Sequence, residues 1–439
     1  MKSPAFIKRL FAPAAPAASK ADRHTRRTVS LCHALLSERG EASGAALARE
    51  ALGAYRMLSG PALTAFFDVL AGEFSPDPEA VEKAADAYRQ DTSPPNLIRL
   101  QSAVEAPRQE LFRRLNLAGG GTAALVEMRR RLLHDLKAQP QWAGIDADMV
   151  HLLGSWFNRG FLSLQRIDWR TPALVLEKLM QYEAVHEIQG WRDLRRRLES
   201  DRRCYAYFHP ALPDEPIIFI EVALTKGMSE RVQPLLDPDS PVVDPAGADA
   251  AVFYSITNCQ EGLRGISFGN LLIKQVAEDL GREFPRLKTF ATLSPIPGFR
   301  RWLAETAAMH AEVAEIDGAL SQPDWIDNAG PGTGMRSELM RLCAHYLQHA
   351  KHANEPDDAV ARFHLGNGAR VERLNWLADS SRAGMARSAG LMVNYVYRLK
   401  DVERNHEAYA NRHAVVASPG LALLARESLL ARLKAKRKG

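Results

Sequence analysis

A helical N-terminal domain followed by an α/β domain is the fold this sequence predicts, and three observations carry the prediction. Apolar residues recur at three- and four-residue spacing from about Thr28 to Gly190. After Trp191 the pattern changes to short β-rich runs that alternate with helical ones. The chain has 439 residues, enough for two or three domains with well-buried cores.

The helical elements follow in order. Leu31 and Leu35 start one apolar stripe, and Leu47, Ala51 and Ala54 mark the next. Asp77 reads as an N-cap, with Pro78 at the first helical position and Glu79 after it. Ser93 before Pro94-Pro95 breaks the chain again. Gly119-Gly120-Gly121 stops one helix, and Thr122 is placed to cap another that runs through Leu125 and Met128 to Leu132 and Leu133. That glycine run lacks the following Lys-Ser/Thr and the preceding strand of a phosphate loop, so it reads as helix punctuation.

Three strands are expected beyond Trp191: Ile217 to Val222, Ala251 to Ile256 and Thr289 to Leu293. A Pro/Asp-rich loop from Pro234 to Asp249 separates the first two. Between the last two lies an amphipathic helix with Leu272, Ile273, Val276, Ala277 and Leu280 on one stripe. The expected organisation is therefore a basic, disordered tail at 1–27, a helical domain at 28–190 and an α/β domain at 191–439. No internal repeat is visible.

Composition excludes several classes. Hydrophobic residues make up 46% and charged residues 25% of the chain, as in a soluble globular protein. The 57 basic and 52 acidic residues are mixed along the chain, without the clustered patch that nucleic-acid binding needs. No apolar run approaches the roughly eighteen residues of a membrane span. Cys32, Cys204, Cys259 and Cys343 form no C-x-x-C pair, which argues against a zinc ribbon or a disulfide scaffold and for reduced thiols. Cys343, His345, His349 and His352 can share a helix, but the glutamate of H-E-x-x-H is missing, so no metal site is assigned. Through Arg27 the chain carries seven basic residues and one acidic one. A cytoplasmic location is expected, with the mitochondrial matrix as the alternative that this basic segment raises.

The chemistry begins with a strand, a loop and a helix. AVFYSI leads to Arg264-Gly265-Ile266-Ser267-Phe268-Gly269-Asn270, and LLIKQVAEDL follows. Small residues at 265, 267 and 269 let the backbone approach a ligand, and the unpaired N–H groups of a helix start favour a pyrophosphate. The loop resembles the acyl-CoA loop of the GNAT acyltransferase superfamily, with Ser267 in place of its middle glycine. The spacing is not the G-x-G-x-x-G of a dinucleotide site.

One strand later, Ser294 ends an expected strand and precedes Pro295, which holds its backbone extended. His364 stands before Gly366-Asn367-Gly368 and is expected to point from a strand end into a cleft. No G-x-S-x-G elbow surrounds Ser294, so a hydrolase triad is not indicated.

Joined in order, TPALVLEKLMQYEAVHEIQGWRDLRRRL, YFHPALPDEPIIFIEVALT, FYSITNCQEGLRGISFGNLLIKQV, LSPIPGFRRWL, RFHLGNGARVERLNWLADSS and MVNYVYRL resemble the malonyl-CoA decarboxylase family over about Thr171 to Lys400. The resemblance implies a helical domain with a GNAT-like catalytic domain, commonly a homotetramer, in a lyase of fatty acid metabolism. It implies Ser294 and His364 as the catalytic serine and histidine. It also implies Arg264, Gly265, Ile266, Ser267, Phe268, Gly269 and Asn270, with Ser294 and His364, as the residues that bind malonyl-CoA. Vertebrate members carry Glu where this chain has Ser267, so no carboxylate role transfers to that position.

Decarboxylating malonyl-CoA leaves an enolate on the thioester, so the substrate is its own electron sink and no cofactor or metal is expected. Ser294 and His364 are assigned as a dyad; which of them protonates the carbon is not readable from sequence. Two other functions suit a GNAT-like domain. An acyltransferase needs an amine acceptor and a base to deprotonate it, and a non-catalytic acyl-CoA sensor binds without turnover.

Overall fold

The computed structural model describes residues 20–37, 40–266, 268, 272–322, 325–328 and 334–436. Its contacts divide the chain into two units, with the main change at Phe161 and Leu162; residues 210–213 and 260–266 also belong to the first unit.

The first unit is helical. Its helices include Lys20–Ser37, Glu41–Arg56, Pro61–Gly72, Pro78–Gln90, Pro94–Val104, Pro107–Asn116, Gly121–Asp135 and Ala143–Trp156. Residues 20–27, expected within the tail, instead begin the first of these helices. Asp77 caps Pro78–Gln90 as expected, its side chain accepting the Glu79 amide. Thr122 does not act as the cap before Gly121–Asp135: Gly120, at φ 74°, takes the N-cap position, and the Thr122 hydroxyl donates to Asn116 Oδ1 at 2.6 Å. Leu35, Leu52, Phe66, Phe67, Leu111, Phe112, Leu132 and Trp142 are buried in this unit.

The second unit is built on a sheet. Its strands are β1 (Ser163–Ile167), β2 (Arg202–Phe208), β3 (Pro216–Thr225), β4 (Ala250–Asn258), β5 (Thr289–Thr292), β6 (Ser294–Pro295), β7 (Lys351–His352), β8 (Glu355–Pro356), β9 (Arg370–Asn375) and β10 (Met392–Val396). Among the described residues, eight strands form one sheet in the order β1-β2-β3-β4-β5-β10-β6, with β9 also on β10. β7 and β8 pair separately. The unit begins well before the expected Gly190 boundary for a packing reason. β1 pairs antiparallel with β2, and Val175, Leu176 and Leu179, from a helix in the stretch expected in the helical domain, pack with Leu194 and with Cys204, Ala206 and Phe219 of the sheet.

The pair β4–β5 is parallel, and its pairing positions the site. It runs from Ala250 opposite Thr289 to Phe253 opposite Thr292, and the Leu293 amide still donates to Phe253 O at 2.9 Å. Beyond that point β4 continues to Asn258 against β3 alone, while Ser294 and Pro295 pair with Val393 and Met392 of β10. The two parallel strands therefore part at Ser294. The helix Leu272–Glu283 buries Leu272, Ile273, Val276, Ala277 and Leu280, all five residues of the expected stripe.

Candidate active site

Ser294 and His364 meet although seventy residues separate them. Ser294 Oγ lies 3.0 Å from His364 Nε2, and both residues are buried. His364 is not at a strand end. It occupies the last turn of the helix Ala359–Gly366, whose N-cap Asp358 accepts the Val360 and Ala361 amides. The turn after it is locked from outside. Gly368 has φ 81°, and a Cβ there would lie 2.2 Å from Val402 O, while Asn405 Nδ2 donates to Gly368 O. Only glycine fits a position that combines this backbone angle with that approach.

A line of uncharged groups surrounds the pair. Ser294 Oγ donates to Thr292 Oγ1 at 2.8 Å, and Thr292 Oγ1 also accepts the Tyr395 amide at 3.1 Å. The break in β9–β10 register between Asn394 and Tyr395 accompanies this substitution of a side-chain oxygen for a ladder carbonyl. Tyr395 and Tyr397, two residues apart on one strand face, both reach the imidazole. The Tyr395 ring stacks on it at 4.5 Å and 26°, and Tyr397 OH lies 2.8 Å from Nδ1. Behind Thr292, Asn394 Nδ2 donates to its carbonyl at 2.6 Å, and Asn375 and Arg373 hold Asn394 Oδ1 at 2.8 and 3.1 Å.

Burial lowers the His364 pKa from its ordinary value to about 3, because a charged imidazole loses its hydration there. The ring is therefore neutral at physiological pH and carries one N–H. Burial also pushes the Tyr397 hydroxyl well above its usual range, so that group keeps its proton and needs an acceptor. Nδ1 supplies one. The ring proton then sits on Nε2 and is donated to Ser294 Oγ, whose own proton goes to Thr292. All the directions agree in the order Tyr397, His364, Ser294, Thr292.

The loop residues are distributed differently. Arg264, Gly265 and Ile266 belong to the first unit and Phe268 to the second; Ser267, Gly269 and Asn270 lie outside the described residues. Gly265 has φ 79°, the left-handed region that glycine favours. Of the histidine cluster, Cys343 and His345 are buried on the helix Gly334–His349, His345 Nδ1 lies 3.0 Å from Ser428 Oγ, and His352 is exposed on β7. Sequence reasoning missed Thr292, Asn394, Tyr395, Tyr397 and Asp358. The T-L-S and N-Y-V-Y spacings, which place alternate residues on one strand face, were the available signal.

Two family models match the chain. That of the malonyl-CoA decarboxylase C-terminal domain covers 160–436, and that of the malonyl-CoA decarboxylase N-terminal domain covers 74–157. Mitochondrial malonyl-CoA decarboxylase of the goose Anser anser anser is 36% identical over 370 residues, which are 76% of this chain and 73% of that one. The enzyme of the same name from Rattus norvegicus is 37% identical over 350 residues, 73% of this chain and 71% of that one. A crystal structure of malonyl-CoA decarboxylase from Rhodopseudomonas palustris has a TM-score of 0.86 and 49% identity, covering 90% of this chain and 98% of its own. That from Cupriavidus metallidurans has a TM-score of 0.74 and 36% identity, covering 92% and 100%.

Proposed function

This chain belongs to the malonyl-CoA decarboxylase family, and we propose that its Ser294 and His364 act as a dyad, without added cofactor, in taking CO2 from malonyl-CoA. The chain is a carboxy-lyase, and acetyl-CoA is its product. The observation that carries the dyad is the 3.0 Å contact between Ser294 Oγ and His364 Nε2, in a ring whose other nitrogen is held by Tyr397.

The carbon–carbon bond to the carboxylate breaks, its electron pair enters the thioester as an enolate, and CO2 leaves. One proton must then reach the α-carbon. An imidazole with its proton on Nε2 is a donor rather than the base that would deprotonate serine, so His364 and Ser294 supply that proton together and take one from solvent in each turnover. Before that, their hydrogen bonds are available to the developing enolate oxygen. An uncharged, buried setting assists the departure of an anionic carboxylate as neutral CO2.

We further propose that Arg264 to Asn270 hold the coenzyme pyrophosphate and that the chain assembles as a homotetramer, as the family resemblance implies. Its four buried free cysteines suit a reducing compartment, the cytoplasm or the mitochondrial matrix. The goose and rat relatives are named mitochondrial, which keeps the mitochondrial alternative beside the cytoplasmic one.

The test uses purified protein stripped with a strong chelator. Acetyl-CoA and CO2 should form from malonyl-CoA in equal amounts with no amine present. Activity that disappears on chelation and returns with a metal would sink the cofactor-free mechanism. CO2 release that required an acyl acceptor would favour the acyltransferase reading.

A further inference from the structure

We infer that Arg129 is the positioning residue through which the helical unit shapes the coenzyme loop; this rests on the reading of Arg264 to Asn270 as that loop. Arg129 projects from the helix Gly121–Asp135 and is buried. Its Nη1 donates to Gly262 O and to Arg264 O, both at 2.8 Å. Its Nε donates to Asp146 Oδ1 at 2.8 Å, so the guanidinium is neutralised where it sits. The loop backbone also rests on the same helix. A Cβ on Gly262 would lie 2.0 Å from Val126 O, so only glycine permits that approach.

Peptide planarity turns these contacts into a directional device. The Arg264 carbonyl and the Gly265 amide share one trans peptide, in which C=O and N–H point opposite ways. Holding the carbonyl on Arg129 aims the Gly265 N–H away from the helix. Gly265, at φ 79°, then reverses the chain at the place where the loop is expected to meet a phosphate. The neighbouring amides are committed inside the turn: Leu263 N to Gln260 O, Arg264 N to Glu261 O and Ile266 N to Leu263 O. Arg129 thus fixes both the shape of the turn and the direction of a donor without touching the ligand. The helical unit therefore has a part in coenzyme binding.

The experiment compares full-length wild type, Arg129→Met and Arg129→Lys. Free CoA binding is measured by calorimetry, malonyl-CoA turnover by kcat and KM, and loop protection by hydrogen exchange at Leu263 to Ile266. Arg129→Met should raise the CoA Kd and the malonyl-CoA KM about tenfold, or about 1.4 kcal/mol, while kcat falls by less than about threefold. Arg129→Lys, which keeps the charge beside Asp146 but not the fork, should lie between the two. A role in stability alone would lower Tm without this split between KM and kcat. If Arg129→Met does not fold, the lysine variant decides. Normal CoA affinity in a folded variant overturns the inference if CoA protects the wild-type loop amides. No protection of those amides in wild type would instead overturn the loop reading on which the inference rests.

Discussion

Two of the buried polar networks in the sheet-containing unit are made of opposite materials. Around Arg197 the groups are ionisable: its guanidinium donates to Asp193 at 2.8 Å and to Glu221 at 2.8 Å. Burial works against the Arg197 charge, yet Glu221 and Asp193 leave it held more firmly than in water. Burial pushes the Glu221 carboxyl up to about 8, with Arg197 pulling the other way. Around His364 the partners are the hydroxyls of Ser294 and Tyr397, with Thr292 beyond Ser294. Charges strap the helix Trp191–Arg197 to β3, where nothing has to change during a turnover. Neutral groups surround the proposed dyad, where the proposed reaction calls for a proton to be held and released without a nearby charge pinning it.

The sharpest way to separate the networks is to break the charged one. Arg197→Met leaves Asp193 and Glu221 buried without their cation, which should cost about 3–5 kcal/mol in urea unfolding. The kcat of the protein that stays folded should change by less than about threefold. A proportionate loss of kcat per folded molecule would mean that the two networks are one.

Breaking the neutral network should do the reverse. Ser294→Ala and His364→Asn should each lower kcat by about a hundredfold or more while KM moves little. The double variant should be little worse than the poorer single one, because the pair acts as a unit. Two small, multiplicative losses would show that the dyad is misassigned. Tyr397→Phe is the milder form: it removes the donor to Nδ1 and frees the ring to put its proton there. An effect of about fivefold on kcat follows from one hydrogen bond of roughly 1 kcal/mol, and an unchanged kcat would leave the tautomer argument without support.

Acid separates the networks differently. His364 has its pKa lowered to about 3 from about 6.5 when unfolded. Between those values the unfolded chain binds the extra proton, so this residue's contribution to stability is lost as pH falls through that window. Wild-type kcat/KM should accordingly show no histidine ionisation near pH 6.5. A bell limb there that vanishes in Tyr397→Phe would contradict the buried, neutral ring.

The sequence disclosed some of this and hid the rest for physical reasons. The helix Leu272–Glu283 was legible to the residue because its stripe faces one surface. β2 was not, since its first two residues are arginines. Both are buried, with Arg202 paired to Asp201 and Arg203 to Glu283, and pattern reading takes charge for exposure. Ser294 and His364 are singled out by motif, but the expected strand end for His364 is a helix, whose cap Asp358 carries no clear signal in the sequence. Tyr397 and Thr292 carry no signature of their own. A hydroxyl becomes a proton-directing group only through what folding puts beside it.

Asp358 gives the smallest expected effect and joins both materials in one residue. Its Oδ1 accepts the Val360 and Ala361 amides at 3.0 and 2.9 Å, and Oδ2 lies 3.4 Å from the Gly298 amide and from Tyr346 OH. One carboxylate thus caps the histidine's helix and touches the chain just after the serine. Burial raises its pKa, while those amide donors pull it down. Asp358→Asn keeps the capping oxygen but turns an amide nitrogen toward the Gly298 N–H, so a loss of about 1 kcal/mol is expected. The pH dependence gives the sign. With a folded pKa above the unfolded value of about 3.9, wild type is increasingly penalised as pH rises past that value, whereas asparagine does not titrate. The stability gap between wild type and Asp358→Asn should therefore narrow from pH 4 to pH 7 in urea titrations. A gap that widens would mean that the amide donors outweigh burial. Asp358 would then belong with the charges that strap the fold rather than with the neutral groups that serve the reaction.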